Sequence, residues 1–173
     1  MTGAGRAPTA EEQLTAISSL SSVLDQHGVD YWLFGGWAVD FCVGAVTREH
    51  ADIDVAAWRG DYDTIRGVLE AAGWRHTPVT DEVVGTRYMF GSALVEFTFV
   101  VAGDDGSIVI PMPHQPIVWS TQPFGDERRT LLGVTSRTIP LTLLKAGKSA
   151  PRDSEAEAAK DRADFHALSG LET

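Results

Sequence analysis

The spacing of apolar residues predicts helices at the start of the chain and strands in its middle. Apolar side chains recur every three or four positions after Thr9 and again after Tyr62, which is the period of an amphipathic helix. The short run that ends at Phe34 is mainly apolar and aromatic, as is typical of a buried strand. The elements predicted in the first half are helices over 9–28, 37–43 and 62–72 and strands over 29–34 and 52–57.

Short strand-like runs dominate the second half of the sequence. Asp104-Asp105-Gly106 predicts a hairpin turn, and the prolines that follow predict an edge strand or a loop. The predicted elements are strands over 74–79, 86–90, 94–101 and 107–110, a strand pair over 129–139, helices over 141–146 and 156–168, and a polar linker over 147–155. Early and late helices around a cluster of strands predict an α+β fold, in which a twisted mixed sheet is flanked by helices.

The length of 173 residues is sufficient for one domain with a substantial core. We expect a single domain over 1–173, with a disordered N-terminus over about 1–8 and a C-terminal helical segment over about 140–173. No segment approaches the roughly 18 consecutive apolar residues of a membrane span, so we expect a soluble protein. Cys42 is the single cysteine, which excludes an intrachain disulfide and is consistent with the cytoplasm.

The charge balance indicates which partners to expect. Fourteen basic and 24 acidic residues give a formal net charge of -10. A chain this acidic is poorly suited to bind duplex DNA or long RNA, because it would repel the phosphate backbone. We therefore expect small ligands and no DNA partner.

Two aspartates two positions apart are the most informative feature of the sequence. Side chains at i and i+2 of a strand point to the same face, so Asp52 and Asp54 are expected to stand side by side. Adjacent carboxylates repel each other and are well tolerated around a divalent cation, for which their hard oxygens suit Mg²⁺ or Mn²⁺. The alternative is a half-buried strand that shows two acids to solvent.

A glycine pair upstream of the aspartates predicts a phosphate site. Gly35 and Gly36 end a predicted strand and precede a predicted helix. Glycines allow backbone N–H groups to approach a ligand closely, and the N-terminal end of a helix attracts anions. Glycines are also required in ordinary tight turns, so the pair gains weight only together with the aspartates.

Glu96 is the candidate for a third acidic group. It is a single carboxylate in an otherwise apolar strand, and a buried carboxylate needs a partner. That partner could be a shared metal ion or a basic group such as Arg87.

The run FGGWAVDFCVGAVTREHADIDVAAW, residues 34–58, resembles the signature of the nucleotidyltransferase superfamily related to DNA polymerase β. In particular, it is similar to the small aminoglycoside and lincosamide antibiotic nucleotidyltransferases. That subgroup adds Trp-Ala-x-Asp after the glycines, here residues 37–40, and Thr-Arg-x-His before the aspartates, here residues 47–50. A Lys-Asp-x-x-Asp ending, here residues 160–164, is also common in the subgroup and is expected to be structural.

The resemblance implies a polymerase β-like fold and a role for each part of the motif. Asp52 and Asp54 would hold Mg²⁺ ions that bridge a nucleoside triphosphate (NTP), and Glu96 would complete the metal site or act as the base. Gly35 and Gly36 would seat the phosphates.

Basic residues are further candidates for contacts with the triphosphate. Arg48 would meet a phosphate, although an arginine near acids is equally suited to brace Asp40 or the aspartate pair. Lys145 and Lys148 are candidates as well, and at least one of them is expected to be a solvated surface lysine. Asp40 is expected to orient Arg48.

The predicted reaction is transfer of a nucleoside monophosphate from an NTP such as ATP to a hydroxyl of a small molecule, for example an aminoglycoside or lincosamide. Trp119 is a candidate contact for this acceptor, and a homodimer would deepen the acceptor cleft. Two alternatives remain at this stage: a toxin-like enzyme that modifies tRNA or protein, and a non-catalytic nucleotide-binding module.

Overall fold

A seven-stranded mixed sheet forms the centre of the fold in this computed structural model, which describes residues 5–172. Its strands are β1 Tyr31–Phe34, β2 Ile53–Trp58, β3 Arg75–Thr77, β4 Gly85–Phe90, β5 Ala93–Ala102, β6 Ile108–Ile110 and β7 Ile117–Ser120. The order is β1-β2-β5-β4-β3, with β6 paired to the end of β5 and β7 paired to β6. The β2–β5 pair is parallel and the other pairs are antiparallel.

Five helices and a separate hairpin complete the described chain. They are α1 Ala10–Gln26, α2 Gly35–Val43, α3 Tyr62–Ala71, α4 Leu141–Lys148, α5 Glu155–Leu168, and the strands β8 Arg128–Leu131 and β9 Val134–Arg137, with a 3₁₀ turn over Arg59–Asp61 before α3. Thr9 and Glu12 form a capping box that starts α1. Helix α1 packs against α3 and β9, while α2 packs against α4 and α5.

The core lies where the apolar face of α1 and the sheet meet. Buried side chains alternate along β5: Val95, Phe97 and Phe99 are buried, whereas Glu96 and Thr98 are partly exposed. The largest side chains that are almost fully buried are Tyr31, Trp37, Tyr88, Phe99, Ile17, Leu20 and Leu24. This alternation in β5 turns Glu96 away from the core and toward an open cleft.

The observed element boundaries correct three predictions. Helix α2 begins at Gly35, so the glycine pair forms its first turn and the chain passes from β1 into α2 without a separate turn. Helix α4 continues through Lys148, two residues into the predicted linker. Strand β3 covers only Arg75–Thr77, because Pro78 has no N–H with which to continue the ladder.

Two predictions about the chain ends and the membrane can be compared with residues 5–172. The predicted disordered terminus 1–8 lies partly outside these residues, and within them Arg6 forms an ion pair with Glu12 at 2.6 Å. Among the helices in this range, none has the length and apolar character needed to cross a bilayer.

Candidate active site

A cleft of about 550 Å³ opens between the ends of β1, β2 and β5 and the two last helices. Its lining combines three carboxylates, the glycine pair, several basic side chains and an apolar wall. The residues predicted as site residues that line it are Gly35, Gly36, Arg48, Asp52, Asp54, Glu96 and Lys148. One cleft therefore contains seven of the eight predicted site residues.

Asp52, Asp54 and Glu96 form an acidic triad at the base of the cleft. One carboxylate oxygen from each residue lies within 4.8 Å of those of the other two. Asp54 and Glu96 are directly opposite each other in the parallel β2–β5 register, and Asp52 immediately precedes β2. Burial, and then the negative charges of Asp52 and Glu96, raise the pKa of Asp54 to about 7. Three crowded oxygen donors with excess negative charge suit a hard divalent cation such as Mg²⁺ or Mn²⁺.

Glu96 also forms an ion pair with Arg87, the basic partner that the sequence offered as the alternative to a shared metal ion. Arg87 Nε lies 2.8 Å from Glu96 Oε1, and the two residues are directly opposite in the antiparallel β4–β5 register. Oε1 of Glu96 thus takes part in this ion pair, and the carboxylate has a second oxygen, Oε2. The two explanations derived from the sequence are compatible in this geometry.

Neighbouring side chains leave no space for a Cβ atom at either Gly35 or Gly36. Gly35 has φ +67°, a left-handed conformation that favours glycine, and a Cβ at Gly35 would overlap the Asp54 carboxylate. A Cβ at Gly36 would overlap His50 and Arg48. Phe34, which precedes α2, offers no side-chain hydrogen bond to the first turn. The N–H groups at the positive end of α2 therefore suit an anion in the cleft.

Asp40 does not orient Arg48, which corrects the sequence-based expectation. Its buried carboxylate accepts hydrogen bonds from the Thr47 hydroxyl at 2.6 Å and from the Thr47 N–H at 3.2 Å, and it pairs with His50 Nε2 at 2.5 Å. The His50 ring lies over Trp37, with centroids 4.7 Å apart. Asp40 faces inward on α2 and fixes the 47–50 loop, so Arg48 is left to point toward α5.

Two buried carboxylates on α5 hold the basic side chains of the cleft. Arg48 forms a two-pronged contact with Asp164, with Nε–Oδ1 and Nη2–Oδ2 distances of 3.0 Å each. Lys148 Nζ lies 2.8 Å from Asp164 and 3.2 Å from Asp161, and Arg152 Nε lies 2.6 Å from Asp161. Burial alone would raise the pKa of Asp164, but hydrogen bonds from Arg48 and Lys148 lower it below its ordinary value. We call Arg48, Lys148 and Arg152 the basic wall.

Lys145 lies elsewhere, although it was predicted to contact the nucleotide together with Lys148. Its Nζ donates a hydrogen bond to the backbone carbonyl of Leu171 at 2.6 Å, and it does not line the cleft. The two lysines are three positions apart on the short helix α4, a spacing that makes them neighbours on the helix surface, so it is their different partners that separate them. Lys148 is the one that faces the triad.

Apolar side chains also line the cleft, and we call them the apolar wall. Phe34 and Trp119 meet edge to face with ring centroids 4.9 Å apart, and Phe124 supports Trp119 at 5.2 Å. Ile139 and Leu143 continue this surface. The structure thus places Trp119, the predicted acceptor contact, beside the site.

The family of the chain is decided by a sequence match over most of its length. The family model for aminoglycoside-2''-adenylyltransferases matches residues 16–168. The chain belongs to this family. The resemblance to antibiotic nucleotidyltransferases that the motif indicated is therefore confirmed.

Individual curated relatives in this family match over a shorter region. A 2''-aminoglycoside nucleotidyltransferase from Klebsiella pneumoniae is 33% identical over 69 residues, which is 40% of this chain and 39% of that protein. One from Escherichia coli is 33% identical over 63 residues, which is 36% of each chain. The matched region thus spans less than two-fifths of the length of these relatives.

Solved structures similar to this family member confirm its fold. The lincosamide antibiotic adenylyltransferase LnuA, solved with lincomycin bound, aligns with a TM-score of 0.71 and 21% identity over 96% of this chain and 100% of its own. ANT(2'')-Ia in complex with adenylyl-2''-tobramycin aligns with a TM-score of 0.64 and 20% identity, over 91% and 88%. The predicted polymerase β-like α+β fold is therefore correct.

Sequence reasoning missed one member of the basic wall and the function of the α5 carboxylates. Arg152 lies in the polar segment between α4 and α5, where no motif or periodicity distinguishes it. Asp161 and Asp164 belong to the Lys-Asp-x-x-Asp ending, but nothing local in that pattern indicates that they hold the three side chains of the basic wall. Their spacing of three positions on a helix was the available signal, since it places both carboxylates on one face.

Proposed function

We propose that this protein transfers a nucleoside monophosphate from an NTP, with ATP as the first candidate, to a hydroxyl group of an aminoglycoside or lincosamide antibiotic. The observation that carries the proposal is the convergence of the acidic triad, the glycine pair and the basic wall in one cleft. Their positions match the three needs of the reaction: a metal, a phosphate seat and positive charge around the triphosphate.

Asp52, Asp54 and Glu96 would hold the divalent cation. One carboxylate oxygen of each lies within 4.8 Å of those of the others. Burial, and then the negative charges of Asp52 and Glu96, raise the pKa of Asp54, and a cation would compensate this crowding of negative charge. A bound Mg²⁺ or Mn²⁺ would neutralise charge on the phosphate oxygens and make the acceptor hydroxyl more acidic. The protein contributes the fixed spacing, which the β2–β5 register imposes on Asp54 and Glu96.

Gly35 and Gly36 would seat the triphosphate against the first turn of α2. Arg48 approaches closely enough to fill the space where a Gly36 side chain would lie, so its guanidinium is next to that seat. Lys148 lies beside Arg48, because both contact Oδ2 of Asp164, and its side chain is 9% exposed. The α5 carboxylates hold both cations in position before the nucleotide arrives, which limits the ordering required on binding.

Glu96 is the best-placed base for the acceptor hydroxyl. Its Oε1 is in an ion pair with Arg87, and a carboxylate offers a second oxygen that would accept a proton or bind the metal. The acceptor would enter from the β4 side of Glu96, because the glycine pair lies on the other side, next to Asp54. In-line transfer requires this separation of nucleophile and leaving pyrophosphate.

The acceptor class is supported by the relatives. The curated relatives are 2''-aminoglycoside nucleotidyltransferases, and the structural neighbours were solved with lincomycin and with an adenylylated tobramycin. The apolar wall with Trp119 offers a surface for the non-polar part of an acceptor or for the nucleobase.

A mass-shift screen tests the proposal directly. The purified protein is incubated with Mg²⁺, one of the four NTPs and one antibiotic at a time. The antibiotics are tobramycin, lincomycin and a wider set. We expect an antibiotic whose mass increases by one nucleotidyl group, which is a nucleoside monophosphate less water, and release of an equal amount of pyrophosphate. Asp54→Asn should abolish both products, whereas Asp104→Asn in the exposed hairpin turn should not. Absence of pyrophosphate with every acceptor, together with absence of Mg²⁺-dependent NTP binding, would overturn the proposal.

A further inference from the structure

The sheet register places Arg87 in the same row as Asp54 and Glu96, two members of the acidic triad. Phe34 is opposite Asp54, Asp54 is opposite Glu96, and Glu96 is opposite Arg87. Residues directly opposite each other on neighbouring strands project from the same face of the sheet. Four strands therefore present one continuous row, in which Arg87 follows Glu96 on the side away from Asp54.

Arg87 is an unusual neighbour for a cation site. Its Nε is 2.8 Å from Glu96 Oε1, while its side chain is 49% exposed and that of Glu96 is 31% exposed. The guanidinium thus brings a permanent positive charge to one of three carboxylates that would bind a metal. Two positive charges that share a carboxylate repel each other.

We propose that Arg87 is the resident counter-cation of the acidic triad: it holds the Glu96 carboxylate when no metal is bound and opposes the metal that later shares that carboxylate. This inference rests on the proposed function, since it takes the triad as the metal site. Arg87 is a positioning residue, because it acts through Glu96. Its presence stabilises the metal-free protein and weakens metal binding.

The expected effect follows from charge and exposure. A guanidinium that contacts Glu96 lies within several ångströms of any cation on the same carboxylate, and the Coulomb repulsion is reduced but not removed by solvent at that distance. Replacing Arg87 by a neutral residue should therefore tighten metal binding by about fivefold to tenfold at low ionic strength. A lysine retains the charge and should leave the affinity within about twofold of wild type.

Direct Mn²⁺ binding to the full chain tests the inference without turnover. The metal-free protein is titrated with Mn²⁺, alone and with a non-hydrolysable ATP analogue, and free Mn²⁺ is measured by electron paramagnetic resonance for wild type, Arg87→Gln, Arg87→Lys and Asp54→Asn. We expect tighter binding in Arg87→Gln, wild-type affinity in Arg87→Lys, and strongly weakened binding in Asp54→Asn. Thermal unfolding in chelator should show that Arg87→Gln is less stable than wild type, and Mn²⁺ should stabilise it more than it stabilises wild type.

The outcomes separate this inference from the proposed function. If Asp54→Asn binds Mn²⁺ as wild type does, the triad is not the metal site, and both proposals are wrong. If Asp54→Asn loses binding while Arg87→Gln binds Mn²⁺ with unchanged or reduced affinity, only the counter-cation inference is wrong. A purely structural Arg87 would lower the melting temperature of Arg87→Gln equally with and without Mn²⁺.

Discussion

Replacing Asp54 by asparagine should make the metal-free protein more stable at neutral and alkaline pH while removing its function. Asp54 is partly buried next to Asp52 and Glu96, and its pKa is raised from an ordinary value of 3.8 to about 7. A carboxylate whose pKa is higher in the folded state binds its proton more tightly there than in the unfolded state. The contribution to stability is therefore complete below the unfolded pKa and is lost as the pH rises through about 7.

The size of the effect can be worked out from the two pKa values. With a pKa of 3.8 in the unfolded state and about 7 in the folded state, the free energy of unfolding of wild type should fall by about 2–3 kcal/mol between pH 5 and pH 8. Asparagine is neutral throughout this interval, so the variant does not lose this stability. The isosteric amide keeps the volume and one oxygen, so little packing is lost. The free energy of unfolding of Asp54→Asn relative to wild type should therefore increase by that amount across the same interval.

Urea unfolding in the presence of a chelator at pH 5 and pH 8 measures this difference. Asp104→Asn is a suitable control, because Asp104 is exposed in the β5–β6 turn, where asparagine is equally well accommodated. The reasoning is refuted if the stability difference between Asp54→Asn and wild type does not change with pH, or if asparagine destabilises the protein more at pH 8 than at pH 5. With Mg²⁺ added, wild type alone should recover stability at pH 8.

Three further changes test other parts of the site. Asp164→Asn should lower the free energy of unfolding in urea by about 3 kcal/mol, because it leaves two cationic side chains without their buried partner. It should also raise KM for ATP more than it lowers kcat. An unchanged KM would contradict the proposal that the α5 carboxylates position the basic wall for the nucleotide. Gly35→Ala should cost about 2 kcal/mol or more in the same assay, since alanine is disfavoured at positive φ, and should abolish nucleotide binding measured by calorimetry. Lys148→Met should weaken ATP binding at least about tenfold through loss of a charge-assisted contact. The matched Lys145→Met should leave ATP binding unchanged. Equal effects would contradict the assignment of Lys148 alone to the nucleotide site.

Local pattern was sufficient to predict the elements that carry the acidic triad. The i, i+2 spacing of Asp52 and Asp54 and the single acid in the apolar strand around Glu96 are properties of a few neighbouring residues, and strand periodicity determines where such side chains point. Pairing β2 with β5 then brings them together. The first residue of α2 could not be predicted in this way, since only the structure shows that the helix begins directly at Gly35, with a positive φ.

The basic wall could not be predicted in the same way. Arg48 was expected near Asp40, which lies only eight positions before it, yet its partner is Asp164 on the last helix. Local sequence favours nearby partners, whereas the tertiary fold places α5 across α2 and offers a buried carboxylate there. Lys145 and Lys148 have similar sequence surroundings, and only the packing of α4 against α5 distinguishes them.

The contact between Arg48 and Asp164 joins residues 116 positions apart, and this separation has a consequence for the order in which the site is built during synthesis. The carboxylates of the triad and the strands that carry them are all present once β5 has been made, whereas the basic wall has no anchor until α5 follows. Because contacts between residues far apart in the sequence form late, we expect the triad to assemble before the basic wall. If the triad binds a cation as proposed, the chain would thus acquire its metal ligands before the basic side chains proposed to hold the nucleotide are fixed.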